Sequence, residues 1–155
     1  MKDFFREFLT LAKSLNSIGI TPILFGSLGL SKLLEADLKP KDVDILVPEK
    51  FLKSDWERIK NLMEKSGYQL TDLREHEFEK DGVKAAFAAE EDLKPYAGVD
   101  YRQLEIVKAE AEYKVLTLED YLKVYTKSRH DSYRKNKNNG KDELKIELIK
   151  EKLRI

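Results

Sequence analysis

"FGSLGLSKLLEADLKPKDVDILVP", Phe25 to Pro48, decides the fold. A short apolar run from Ile20 to Phe25 reads as a buried strand, Gly26-Ser27 turns the chain, and Leu28 to Leu38 then has helical spacing at Leu30, Leu33, Leu34 and Leu38. Lys39-Pro40 stops that helix, because the residue before a proline avoids the helical region. Val43 to Val47 reads as a second strand, closed by Pro48. Strand side chains alternate faces, so Asp42 and Asp44 point one way while Val43, Ile45 and Val47 serve the other. With the two strands antiparallel and the helix packed across them, the Gly-Ser bend lies beside both carboxylates. Paired carboxylates repel and resist ionisation without a cation, which makes them a poor structural choice and a good seat for a hard metal. Glycine lets a phosphate approach the backbone, a serine hydroxyl donates to it, and a helix N-terminus presents free N–H groups to an anion. The combination suits a nucleoside triphosphate chelated by Mg²⁺. The plainer alternatives are Ser27 capping the helix, Asp42 pairing with Lys39 or Lys41, and Asp44 as a strand-edge charge that deters aggregation.

Working outward, Asp3 to Ile18 places Phe4, Phe5, Phe8, Leu11, Ala12, Leu15 and Ile18 on one helical stripe, with Gly19 as terminator. The three phenylalanines belong to the core. Ser54 and Glu57 form a capping-box signature for a helix running to Lys65, on which Trp56 packs. Tyr68 to Lys80 and Val83 to Ala89 flank Asp81-Gly82, a hairpin signal, and Leu104 to Thr117 is strand-like, with room for a hairpin of its own. Thr117 caps a long helix expected to reach about Arg134, and Lys141 to Leu153 is a final amphipathic helix. Between them "RKNKNNG" reads as a loop. The pattern is α+β: a mixed sheet flanked by helices, one domain over 1–155, with 118–155 a helical C-terminal part packed on it.

With 155 residues, 41% apolar and 37% charged, the chain has room for one solvated domain with a real core. Its 29 basic and 29 acidic residues cancel, so any attraction to an anion must come from local patches. The absence of cysteine excludes disulfides, thiolate zinc sites and cysteine nucleophiles. His76 and His130 read as surface residues. No run approaches a membrane span, and the start is unlike a signal peptide, so the expected location is cytoplasmic.

"FGSLGL…KDVDILVP" resembles the signature of the DNA polymerase β-like nucleotidyltransferase superfamily: an apolar residue, Gly-Ser, a helix, then Asp-x-Asp between apolar residues. The minimal and bacterial members, including toxin and resistance proteins, are closest in length. "LTLEDYLKVYTKSR…KDELKIELI", Leu116 to Ile149, is similar to their helical tail, and the two matches touch about half the chain. The resemblance implies that Gly26 and Ser27 hold the triphosphate and that Asp42 and Asp44 ligate Mg²⁺ or Mn²⁺. It implies the nucleotidyltransferase fold and transfer of a nucleoside monophosphate from an NTP to a hydroxyl acceptor on a small molecule, RNA or protein, with two metal ions bridged by aspartates. It also implies a third carboxylate on a later strand.

There the chain departs from the pattern. The matching strand reads "VKAAFAA", with Ala85 and Ala86 at the expected place. Glu90, Glu91 or Asp92 beyond the strand, or Glu79 across the hairpin, are the substitutes, and Glu91 is taken as the third catalytic candidate. The alternative is a catalytically inactive nucleotidyltransferase-fold module that binds nucleotide or a partner protein, as in toxin–antitoxin pairs. Lys123, Lys127, Arg129, Arg134, Lys135, Lys137 and Lys141 form a basic cluster, either a solvated face or a cationic wall for the triphosphate or an RNA acceptor. Lys123 and Lys127, one turn apart, are the expected nucleotide-binding pair, with Tyr121, Tyr125 and Tyr133 available to stack on a base and Asp142 to hold a cation of the cluster.

Overall fold

A computed structural model describes residues 2–130 and 141–154. The "RKNKNNG" stretch, and with it Tyr133, Arg134, Lys135 and Lys137, lies outside the described residues.

Helix α1, Phe4–Ser17, starts where the Asp3 carboxylate accepts the Arg6 N–H at 3.0 Å, and it turns its stripe of Phe8, Leu11, Ala12 and Leu15 inward. Strand β1, Ile23–Phe25, is three residues long and begins after Pro22, which has no N–H for a ladder, rather than at the expected Ile20. Helix α2, Gly26–Leu34, follows immediately. It begins two residues before the expected Leu28 and stops at Glu35, whose left-handed backbone (φ 52°) breaks it ahead of Leu38. Strand β2, Asp42–Val47, then runs antiparallel to β1 with Phe25 opposite Asp44 and Ile23 opposite Leu46.

A 3₁₀ turn, Glu49–Leu52, leads to helix α3, Trp56–Lys65. The expected Ser54–Glu57 capping box does not form. The Lys50 carbonyl gathers the N–H groups of Lys53 and Asp55 at 3.1 and 2.8 Å, so the helix starts beyond Ser54. The stretch expected as one strand from Tyr68 is two: β3, Gln69–Asp72, and β4, Glu77–Lys80, paired antiparallel. Asp81 and Gly82, both at positive φ, then turn β4 into β5, Val83–Ala89, as the Asp-Gly signal requires. A short helix α4, Leu93–Ala97, and the hairpin of β6, Glu105–Lys108, and β7, Glu112–Val115, follow.

Helix α5, Leu118–Arg129, opens with a complete Thr117–Asp120 capping box, and α6 spans Lys141–Leu153. The expected extension of α5 toward Arg134 ends at Arg129 within the described residues.

Among the described residues seven strands form one mixed sheet in the order β3-β4-β5-β2-β1-β7-β6, with β2 parallel to β5 and β1 parallel to β7. The architecture is α+β, a sheet with helices on both faces. Val43, Ile45, Val47, Phe78, Ala85 and Phe87 meet α1 and the Ile59 and Met63 of α3 on one side. Ile23 and Leu46 meet Leu30, Tyr121, Val124, Ile146 and Ile149 on the other. Alternation along β2 therefore divides its residues between two cores, and Asp42 and Asp44 fall on the side covered by α5 and α6. Among the described residues no helix is long and apolar enough to cross a membrane.

Candidate functional site

The bend between β1 and α2 makes the site. Gly26 sits at φ 72°, a conformation that costs a side-chain-bearing residue about 1–2 kcal/mol. A Cβ there would stand 3.2 Å from Cγ of Asp44 and collide with its Oδ2. The bend and the carboxylate are thus in contact, across a strand pair in which Phe25 opposes Asp44. Among the described residues no side chain caps α2, and Ser27 is not its N-cap. Phe25 holds that position with extended backbone, and Ser27 lies in the first turn, where helical N–H groups lack partners within the helix.

Gly26, Ser27, Asp42 and Asp44 line one cleft of about 610 Å³. Lys39 and Lys41 on the approach to β2 and Lys141 and Lys145 on α6 line it too. Its other wall is aromatic and hydroxylic: Tyr96 from α4 exchanges a hydrogen bond with Ser128 of α5 at 3.0 Å, and the Lys145 ammonium lies 4.8 Å from the Tyr125 ring centroid. Behind this wall Tyr121 is fully buried and donates to the Leu24 carbonyl at 3.4 Å. Burial drives its phenol well above the ordinary tyrosine value, with Tyr125, Asp44 and Asp120 adding to the effect. Tyr121 therefore serves as a neutral donor that fixes α5 against β1.

The other expected site residues divide between the cleft and places outside it. Glu91 Oε1 accepts the Glu49 N–H at 2.9 Å, at the start of the 3₁₀ turn, and Glu91 does not line the cleft. Lys123 and Lys127 border a separate shallow groove with Tyr96, Leu122 and His130. The reason is helical phase: Tyr121, Val124, Tyr125 and Ser128 are the buried face of α5, which sends positions 123 and 127 outward. The stacking candidates Tyr121 and Tyr125 are both buried, and only Tyr125 lines the cleft. Glu90 is buried with its carboxylate 3.8 Å from the Lys114 ammonium. Glu79 pairs across the ladder with Lys84, while Asp92 reaches the cleft.

Sequence reading missed Lys145, Tyr96, Ser128 and Glu75 as cleft residues. The signal for Lys145 was present, since it follows Lys141 by one turn on α6 beside the buried Asp142 and Ile146. Tyr96 and Glu75 sit in a short helix and a turn without periodicity, and nothing local marks them.

Two carboxylates and a positive-φ glycine at a helix N-terminus fit one hard cation carrying a phosphate. Among the described residues no group of three or more His, Cys, Asp or Glu is placed to hold a metal. No family model matches the chain. The chain is 46% identical over 152 residues to a protein of Bacillus subtilis (strain 168) described as "Uncharacterized protein YnaI", a match covering 97% of each chain. At that identity over nearly the full length of both, the chain belongs to the same family as YnaI.

Proposed function

We propose that the chain has the nucleotidyltransferase fold and that its cleft captures a nucleoside triphosphate together with Mg²⁺ or Mn²⁺. The observation that carries this reading is the contact between Gly26 and the Asp44 carboxylate, which puts a phosphate-accessible backbone and two acidic side chains in one cavity. Asp42 and Asp44 hold the ion. The Gly26 bend and the first-turn N–H groups of α2 cradle phosphate oxygens, and the Ser27 hydroxyl donates to one of them. Lys39, Lys41, Lys141 and Lys145 offset the triphosphate's charge, and Tyr96 and Tyr125 give the base an aromatic wall. When bound, such an ion would neutralise phosphate oxygens and, in the transfer reading, would stabilise the negative charge that develops on the pyrophosphate.

Capture without transfer is the reading the site favours, because Ala86 lies in register with Asp44 where a third carboxylate is needed. A second reading, transfer of the nucleoside monophosphate to an acceptor hydroxyl, is favoured by the carboxylates of Glu75 and Asp92 lining the same cleft. Incubation with each α-labelled NTP, Mg²⁺ or Mn²⁺ and candidate acceptors decides between them, with Asp44→Asn as control. The capture reading expects a Mg²⁺-dependent rise in melting temperature that Asp44→Asn abolishes, with no pyrophosphate released. Pyrophosphate and a labelled product, both lost in Asp44→Asn, establish transfer. No nucleotide-dependent shift in the wild-type chain overturns both.

A further inference from the structure

The parallel ladder between β2 and β5 fixes what stands beside each aspartate. Asp42 is in register with Lys84, Asp44 with Ala86 and Leu46 with Ala88. Residues opposed across a ladder share a face of the sheet. That row of β5 therefore carries Lys84, Ala86 and Ala88, and of these Ala86 and Ala88 line the cleft. On the other flank, β1 opposes Asp44 with Phe25. In its row of the sheet Asp44 has an aromatic ring on one side and a methyl group on the other.

The next carboxylate along that row is Glu77, opposite Ala86 on β4. It is two strands from Asp44, about 10 Å at ordinary strand spacing, and its carboxylate accepts the Thr71 hydroxyl at 3.2 Å. Glu90 and Glu91 are engaged with Lys114 and with the Glu49 N–H, and the cleft carboxylates Glu75 and Asp92 come from the turn between β3 and β4 and from beyond the end of β5, not from a strand beside Asp44. Two divalent ions sharing phosphate oxygens stand about 3.5–4 Å apart. Their repulsion has to be offset by anionic oxygen on both ions. Asp42, Asp44 and a triphosphate supply enough for one ion. At the second position Ala86, the strand neighbour of Asp44, offers no oxygen.

We infer that the cleft is a one-ion site and that Ala86 is the residue that keeps it so. The inference rests on the nucleotide reading above and goes further, since it names the physical reason why a triphosphate is retained while an acceptor hydroxyl goes without an ion to activate it.

The test counts ions rather than turnover. The full chain is titrated with Mn²⁺ in the presence of the α,β-methylene analogues of ATP and GTP, and bound Mn²⁺ is measured by electron paramagnetic resonance. The wild-type chain is expected to hold one Mn²⁺ per bound nucleotide, with the spectrum of an isolated ion. Ala86→Asp is expected to hold two, with the spin coupling of ions less than 4 Å apart. Two coupled ions in the wild-type chain overturn the inference without touching the nucleotide reading, and so does a folded Ala86→Asp chain that stays at one. Should that variant not fold, the wild-type count still decides the matter. Failure of the wild-type chain to bind either analogue removes the nucleotide reading and this inference together.

Discussion

Gly26 and Asp44 touch: the glycine Cα faces the aspartate carboxylate so closely that a single added methyl collides with Oδ2. Two consequences follow for Gly26→Ala. The left-handed backbone at φ 72° costs alanine about 1–2 kcal/mol. The carboxylate must also turn away from the bend. The variant is expected to melt several degrees lower and to lose the Mg²⁺-dependent stabilisation by nucleotide even at temperatures where it is fully folded. Thermal melts with and without Mg²⁺ and nucleotide check both parts, and an alanine variant that melts like the wild-type chain would contradict the contact.

Gly29 is the second glycine with a demanding neighbour. It lies inside α2, where alanine is intrinsically better by about 1 kcal/mol. A Cβ there collides with the Tyr121 hydroxyl and reaches 3.3 Å from the Leu24 carbonyl that this hydroxyl binds. Overpacking of this kind costs about 1–3 kcal/mol, so the steric loss exceeds the gain in propensity. Gly29→Ala is expected to destabilise, and Tyr121→Phe to cost about 1 kcal/mol through the lost hydrogen bond. In the double variant the alanine no longer meets the hydroxyl, so the two losses sum to less than their separate values. A double-mutant cycle by urea unfolding measures that coupling.

The stretch from Phe25 to Val47 was legible because its signals are local. Alternation separated Asp42 and Asp44 from Val43 and Ile45, and the burial pattern of β2 follows that alternation. Asp81-Gly82 fixed its hairpin for the same reason. The break between β3 and β4 was not legible: the Leu73–His76 turn holds neither glycine nor proline, and His76 itself takes the left-handed conformation at φ 50°. The lysines of α5 illustrate a different limit. Their shared face was read correctly, but which face meets the cleft depends on how Tyr121, Val124 and Tyr125 pack on β1 and β2. Ala86 stood in the sequence as a departure, and only the strand register made it the direct neighbour of Asp44.

Glu91 is expected to behave as a structural acceptor. Its carboxylate holds the Glu49 N–H at 2.9 Å and so fixes the first residue of the 3₁₀ turn between β2 and α3. Glu91→Ala removes one partly buried, charge-assisted hydrogen bond and should cost about 1 kcal/mol. For a chain of this size that is a fall of about 2–4 °C in melting temperature. The nucleotide-dependent shift should stay at its wild-type size. Its loss in a folded Glu91→Ala chain would return Glu91 to the site.

Glu90 is the buried first residue of the turn that follows β5, and desolvation raises its carboxyl above the ordinary value of 4.5, opposed by the Lys114 ammonium and assisted by the neighbouring Glu91 charge. A carboxyl that is harder to ionise in the folded chain keeps its proton there after the unfolded chain has released it. The folded state then binds more protons, and stability falls as pH rises. This loss begins as the unfolded carboxyl titrates, near 4.5, and is complete above the raised folded value. Glu90→Gln removes the titrating group while keeping its shape. Unfolding free energies of the two chains, compared across pH 4 to 8, should therefore diverge in favour of Glu90→Gln as pH rises, since the buried charge no longer has to be accommodated. Curves that stay parallel across that range would show that Lys114 fully compensates the burial of Glu90.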